Sequence, residues 1–179
     1  MNDLTKEDML YYFEEINRCL AAEDKHGEIL IVGGAALTLV YNARNSTHDI
    51  DALFHPKEDM RKIIKKIAIN NNLDDDWLND GASGFITPNM GSSLLFKYSH
   101  LIIYSLDTEP LLAMKLTSAR EASHDMNDSI TLMKHLKIQT QDELFAIIEK
   151  YTHTNQQTPA SKFFTIEAFS KYKQTNNEK

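Results

Sequence analysis

The chain has 179 residues, 42% hydrophobic and 25% charged, the make-up of one globular domain with a core of ordinary size. A net charge of −7 excludes a protein that coats nucleic acid through bulk positive charge, and leaves room for a local basic groove. No apolar stretch reaches the roughly eighteen residues of a membrane helix. The N-terminus has no basic, apolar secretory pattern, and the lone Cys19 excludes an internal disulfide, so a cytoplasmic location is expected.

Thr5 and Asp8 form an N-terminal capping pattern, and Met9, Leu10, Phe13, Ile16 and Leu20 then recur at helical spacing to near Ala22. Cys19 falls within this pattern as a buried thiol, and Tyr11, Tyr12 and Phe13 read as core aromatics. The next stretch, Glu28–Phe54, organises the rest. Its apolar run Ile29–Val32 reads as a strand that ends at Gly33-Gly34, and the apolar segment Ala35–Ala43 predicts a helix. Glycines let a backbone approach a ligand closely, and a helix start presents unpaired N–H groups, so the turn has the character of a phosphate seat. After the polar break at Arg44–Thr47, Asp49 and Asp51 alternate with Ile50 in a second strand-like run. Side chains two apart on a strand share a face, so both carboxylates are available to a hard cation such as Mg²⁺ held against phosphate.

Pro56 cannot donate to a ladder and ends this strand. Lys57–Ile69 reads as an amphipathic helix, with Met60, Ile63, Ile64 and Ile67 inward and Arg61, Lys62, Lys65 and Lys66 on a solvated face. Asn70–Gly84, including Asp74–Asp76 and Trp77, reads as a polar, turn-rich loop; Phe85–Ile86, Ser93–Tyr98 and Leu101–Leu106 read as strands. Asp107 follows the last of these, just before the next helix, where an acid suits a cap. A helix is expected from Pro110, packing Leu111, Leu112, Met114 and Ala119. Lys115 stands among these apolar residues with Arg120 beyond it, and a lysine there must snorkel or meet an anion. Asp125 and Asp128 precede or open a helix over Asp128–Leu136. Thr140 with Glu143 makes a capping box, and Thr158-Pro159 opens a last helix with Phe163, Phe164, Ile166 and Phe169 as its apolar face. There is no P-loop, no zinc spacing among the histidines and no Ser-His-Asp arrangement. The expectation is a mixed α/β (α+β) fold, one domain over residues 1–173 with its core at about 28–136, a helical part at about 137–173 and a disordered tail at 174–179.

The ordered combination GG, then R-x-x-T-x-D-I-D, resembles the signature of the polymerase-β-like nucleotidyltransferase superfamily. It is most similar to the minimal bacterial branch that includes AbiE-type (AbiEii-like) toxins of toxin–antitoxin systems. A second block, K-x4-R-x4-D-x2-D from Lys115 to Asp128, resembles a later block of the same branch. The resemblance covers about Ile29–Leu136 and departs from the pattern at Gly-Gly-Ala, where glycine-serine is commoner. It implies a nucleotidyltransferase fold, a small mixed sheet flanked by helices with a helical C-terminal segment. It also implies Mg²⁺ or Mn²⁺ on Asp49 and Asp51, and NTP phosphates near Gly33, Gly34, Thr47, Lys115 and Arg120. Asp125 takes a catalytic role, and Asp107 remains either cap or third acid. The implied partners are an NTP, an acceptor such as a tRNA 3′ end or a protein, and a cognate antitoxin, with no membrane. The alternative is a catalytically inactive nucleotide-binding or protein-interaction module of the same fold.

Overall fold

The computed structural model describes residues 3–118 and 124–177. It is a mixed α/β fold that divides into two compact units, one of Met1–Ile86 with Ser92–Leu106, the other of Thr87–Gly91 with Asp107–Lys179.

The first unit opens with strand β1 (Leu4–Thr5) and helix α1 (Lys6–Ala22). Thr5 and Asp8 close the expected capping box, and the hydrogen bonds from the Thr5 hydroxyl and N–H draw the Asp8 carboxyl below its usual range. Met9, Phe13, Ile16 and Leu20 are buried at helical spacing. Strand β2 (Gly27–Ile31) leads through Val32 into helix α2 (Gly33–Leu39), which ends four residues before the predicted limit. Beyond it Asn42 takes a left-handed conformation, φ +48°, and the chain turns into β3 (Ser46–Thr47). β1 and β3 pair antiparallel, Leu4 opposite Thr47, and so tie the N-terminus to the segment that carries the acids.

Strand β4 (Ile50–His55) follows, and Pro56 caps helix α3 (Lys57–Asn71), whose buried face is the expected Met60, Ile63, Ile64 and Ile67 with Ala68. The stretch after α3 departs from expectation. Within the predicted loop, Leu78–Asn79 form β5, parallel to β4, and the 3₁₀ turn Gly81–Phe85 replaces the strand predicted at Phe85–Ile86. Trp77 is the reason β5 holds. Its fully buried ring donates through Nε1 to the Ile64 carbonyl (3.2 Å) and lies beside Tyr12, and its own carbonyl accepts the Ile50 N–H (2.8 Å). Strands β6 (Ser92–Lys97) and β7 (Leu101–Leu106) complete a five-stranded sheet in the order β5-β4-β2-β7-β6. β2 runs parallel to β7 and antiparallel to β4, so the end of β2 lies beside the start of β4.

The second unit is helical: α4 (Thr108–Ser118), α5 (Asp125–Leu136), α6 (Gln141–Tyr151) and α7 (Pro159–Asn177). Thr140 caps α6 as expected, accepting from the Glu143 N–H. Helix α7 shifts its predicted face, leaving Phe164 and Phe169 half-buried. Ser161, Thr165, Ala168 and Tyr172 are buried, while Phe163 is 73% and Ile166 42% exposed. The Ser161 hydroxyl donates to the Thr158 carbonyl (2.9 Å) and that of Thr165 to the Ser161 carbonyl (2.8 Å). Satisfied within the helix, these short side chains pack like apolar ones. Among the described residues no helix is long and apolar enough to cross a membrane.

Candidate active site

The glycine turn and Asp51 meet in the first unit, and the sheet register brings them together. Ile31 pairs with Ala52, and the Val32 N–H donates to the Asp51 carbonyl at 2.9 Å, so the residue after Val32 lies against the beginning of β4. That residue, Gly33, has φ +60°, a conformation an L side chain adopts only with strain. A Cβ there would also stand 3.1 Å from Asp51 Oδ2. At Gly34 the space is tighter: a Cβ would come within 2.5 Å of Thr47 Oγ1 and 3.2 Å of Arg44 Nη1. The pair is therefore required by the close approach of Arg44, Thr47 and Asp51 to the turn, whatever else it binds. Of the motif R-x-x-T-x-D-I-D, arginine, threonine and second aspartate all touch the place a glycine side chain would fill.

Asp49 sits differently from the alternation expected of it. It precedes β4, in a bend, and only Asp51 belongs to the strand. Its Oδ2 accepts a hydrogen bond from Asn79 Nδ2 (3.1 Å), a residue of β5 opposite Asp51 in the parallel ladder. Both carboxylates are half-buried. Asn79 lay in a stretch read as loop, and the turn residues around it mask a two-residue strand.

The expected second block lies in the second unit, where its lysine meets its two aspartates. Lys115 Nζ stands 2.7 Å from Asp125 Oδ1 and 3.1 Å from Asp128 Oδ2, with side-chain exposures of only 13%, 11% and 1%. The anion that a lysine among apolar residues must meet is thus the aspartate pair at the start of α5, which begins at Asp125, three residues earlier than its periodicity suggested. Arg120 lies outside the described residues, as does Ala119. Asp107 begins the second unit. Its carbonyl accepts the Leu111 N–H (3.1 Å), the first turn of α4, its N–H donates to the Gly91 carbonyl (3.0 Å), and a Cβ at Gly91 would overlap its carboxylate. Those bonds place it at a helix start.

A family model described as a nucleotidyltransferase of unknown function (DUF6036) matches residues 7–177. The chain belongs to that family. No curated protein and no solved structure matches it. For a nucleotidyltransferase the residues are chemically apt: Asp51 at the glycine turn and Asp49 two residues before it carry hard oxygen ligands, and Mg²⁺ commonly takes one or two carboxylates and completes its shell with phosphate and water. Among the described residues no group of three or more His, Cys, Asp or Glu side chains gathers as a metal site. Asp49 and Asp51 would hold such an ion as a pair.

Proposed function

We propose that the chain transfers a nucleotidyl group from an NTP to an acceptor hydroxyl with Mg²⁺ or Mn²⁺, and that the site is the glycine turn with Asp49 and Asp51. The observation that carries this reading is the seating of Asp51 Oδ2 directly against Gly33, in a chain that belongs to a nucleotidyltransferase family. The bound ion would polarise the α-phosphate and neutralise charge on the leaving pyrophosphate. The chain's own residues do the rest. Asp49 and Asp51 would hold that ion. Gly33 and Gly34 let Asp51, Thr47 and Arg44 close on the turn, where these side chains would face the phosphates. The acceptor oxygen forms a bond to the α-phosphorus as the bond to pyrophosphate breaks. The resemblance gives the acceptor's proton to Asp125 and the phosphates to Lys115, which in the second unit hold each other. It also extends the reading to an AbiE-type toxin, acting on a tRNA 3′ end or a protein side chain and countered by an antitoxin.

The test is transfer of label from each α-³²P NTP to total tRNA or to lysate protein. The native chain should label one acceptor class, and Asp49→Asn and Asp51→Asn should each reduce labelling by about 100-fold or more, the order of effect expected when a group acting on transition-state charge is lost. Equal labelling by both variants would overturn the proposal. Metal-dependent NTP binding without transfer would favour the inactive nucleotide-binding module.

A further inference from the structure

We infer that Asn79 is a positioning residue for the metal site, acting through Asp49; the inference rests on the function proposed above. Asp51 lies in β4, paired with β2 and β5, and its backbone is held by the ladder. Asp49 precedes the strand and has no ladder bond to fix it. The Asn79 amide supplies the missing tether. Nδ2 donates to Asp49 Oδ2 at 3.1 Å and to the Asp76 carbonyl at 3.2 Å, while Oδ1 accepts the Gly81 N–H at 2.9 Å.

These bonds also settle which way the amide faces. Reversed, it would turn its oxygen towards a carboxylate and a carbonyl and its NH₂ towards an N–H, with no acceptor for either donor group. Glycine at 81 belongs to the same device, since a Cβ there would sit 2.9 Å from Asn79 Oδ1. Trp77, two residues earlier, pins β5 to α3 and to β4 and so fixes where the amide stands.

The chemistry of the tether suits a metal ligand. A neutral donor occupies one carboxylate oxygen without cancelling the charge, orients the group, and leaves Oδ1, which accepts no hydrogen bond among the described residues. Outer-shell partners of this kind commonly change metal affinity by 10- to 100-fold when removed.

Manganese binding, read from the loss of the free-ion electron paramagnetic resonance signal with a non-hydrolysable NTP present, tests this on the full chain. Asn79→Ala should raise the half-saturating Mn²⁺ concentration about tenfold or more. The amount bound at saturation should stay as in the native chain. Damage to the fold alone would lower that amount without moving the midpoint. Gly81→Ala, which presses on Oδ1 and leaves the amide in place, should shift the midpoint in the same direction by less, and serves if Asn79→Ala fails to fold. Native midpoints in both variants would overturn the inference while leaving the proposed function standing. No Mn²⁺ bound by the native chain would overturn both.

Discussion

Among the described residues, Asp125 and Asp128 of the second unit and Asp49 of the first meet different kinds of partner. Asp125 and Asp128 are buried on one ammonium group, which offsets one of their two charges where it stands. Asp49 meets a neutral amide, which positions a carboxylate and leaves its charge in place. A buried ion pair is satisfied and expensive to break, whereas a charge held by a neutral donor is available to a cation. The first is a clasp of side chains on one another and the second is the arrangement proposed above to take a ligand, although both appear in sequence as two acids a few residues apart.

The largest effect that could break this contrast is on the clasp. Lys115→Met removes an ammonium from two buried carboxylates and should cost about 3–5 kcal/mol in urea unfolding; a loss under about 1 kcal/mol would mean that water already screens the cluster. Gly34→Ala tests the tightness of the other region. Its Cβ would meet Thr47 Oγ1 at 2.5 Å, and the shift this forces should cost about 1–3 kcal/mol by the same measurement. Asp49→Asn, by contrast, should alter stability by no more than about 0.5 kcal/mol, because the amide–amide hydrogen bond to Asn79 can replace the native one.

A more exposed carboxylate, Glu109, provides a smaller and pH-dependent test. Hydrogen bonds from Lys150 (2.8 Å) and Tyr151 (2.9 Å) hold the Glu109 carboxyl below its usual range. A carboxylate lowered in the folded state contributes stability above its ordinary titration range and loses it as pH falls through the lowered value. Glu109→Gln should therefore melt slightly lower than the native chain at neutral pH, and the two melting curves should converge in acid. A gap that persists in acid would mean that Glu109 acts through packing.

Much of the first unit was legible in its sequence because local signals agreed there. The capping residues Thr5 and Asp8, the period of α1 and α3, and the glycine pair before the acids each depend on neighbours within a few residues. What was hidden depends on distant partners. β5 is two residues long, and nothing near Leu78 announces that Trp77 will be buried under α3. Asn79 therefore had no signal as the partner of Asp49, thirty residues earlier. Helix α7 misled for a related reason: Phe163 and Ile166 look like core, but the face that packs is the one whose hydroxyls are satisfied within the helix. Lys115 was recognisable as a lysine in need of an anion, and only the fold shows that Asp125 and Asp128 provide it.

The most direct test of the distinction between clasp and site is calorimetric titration of NTP into the Asp49→Asn, Asp51→Asn double variant and the native chain, with Mg²⁺ and with EDTA, each checked for a cooperative melt. The native chain should bind NTP only with the metal present, and the double variant should melt cooperatively yet show no metal-dependent binding. Metal-dependent binding of undiminished affinity in the double variant would contradict the account, because the ion would then be held somewhere other than beside the glycine turn.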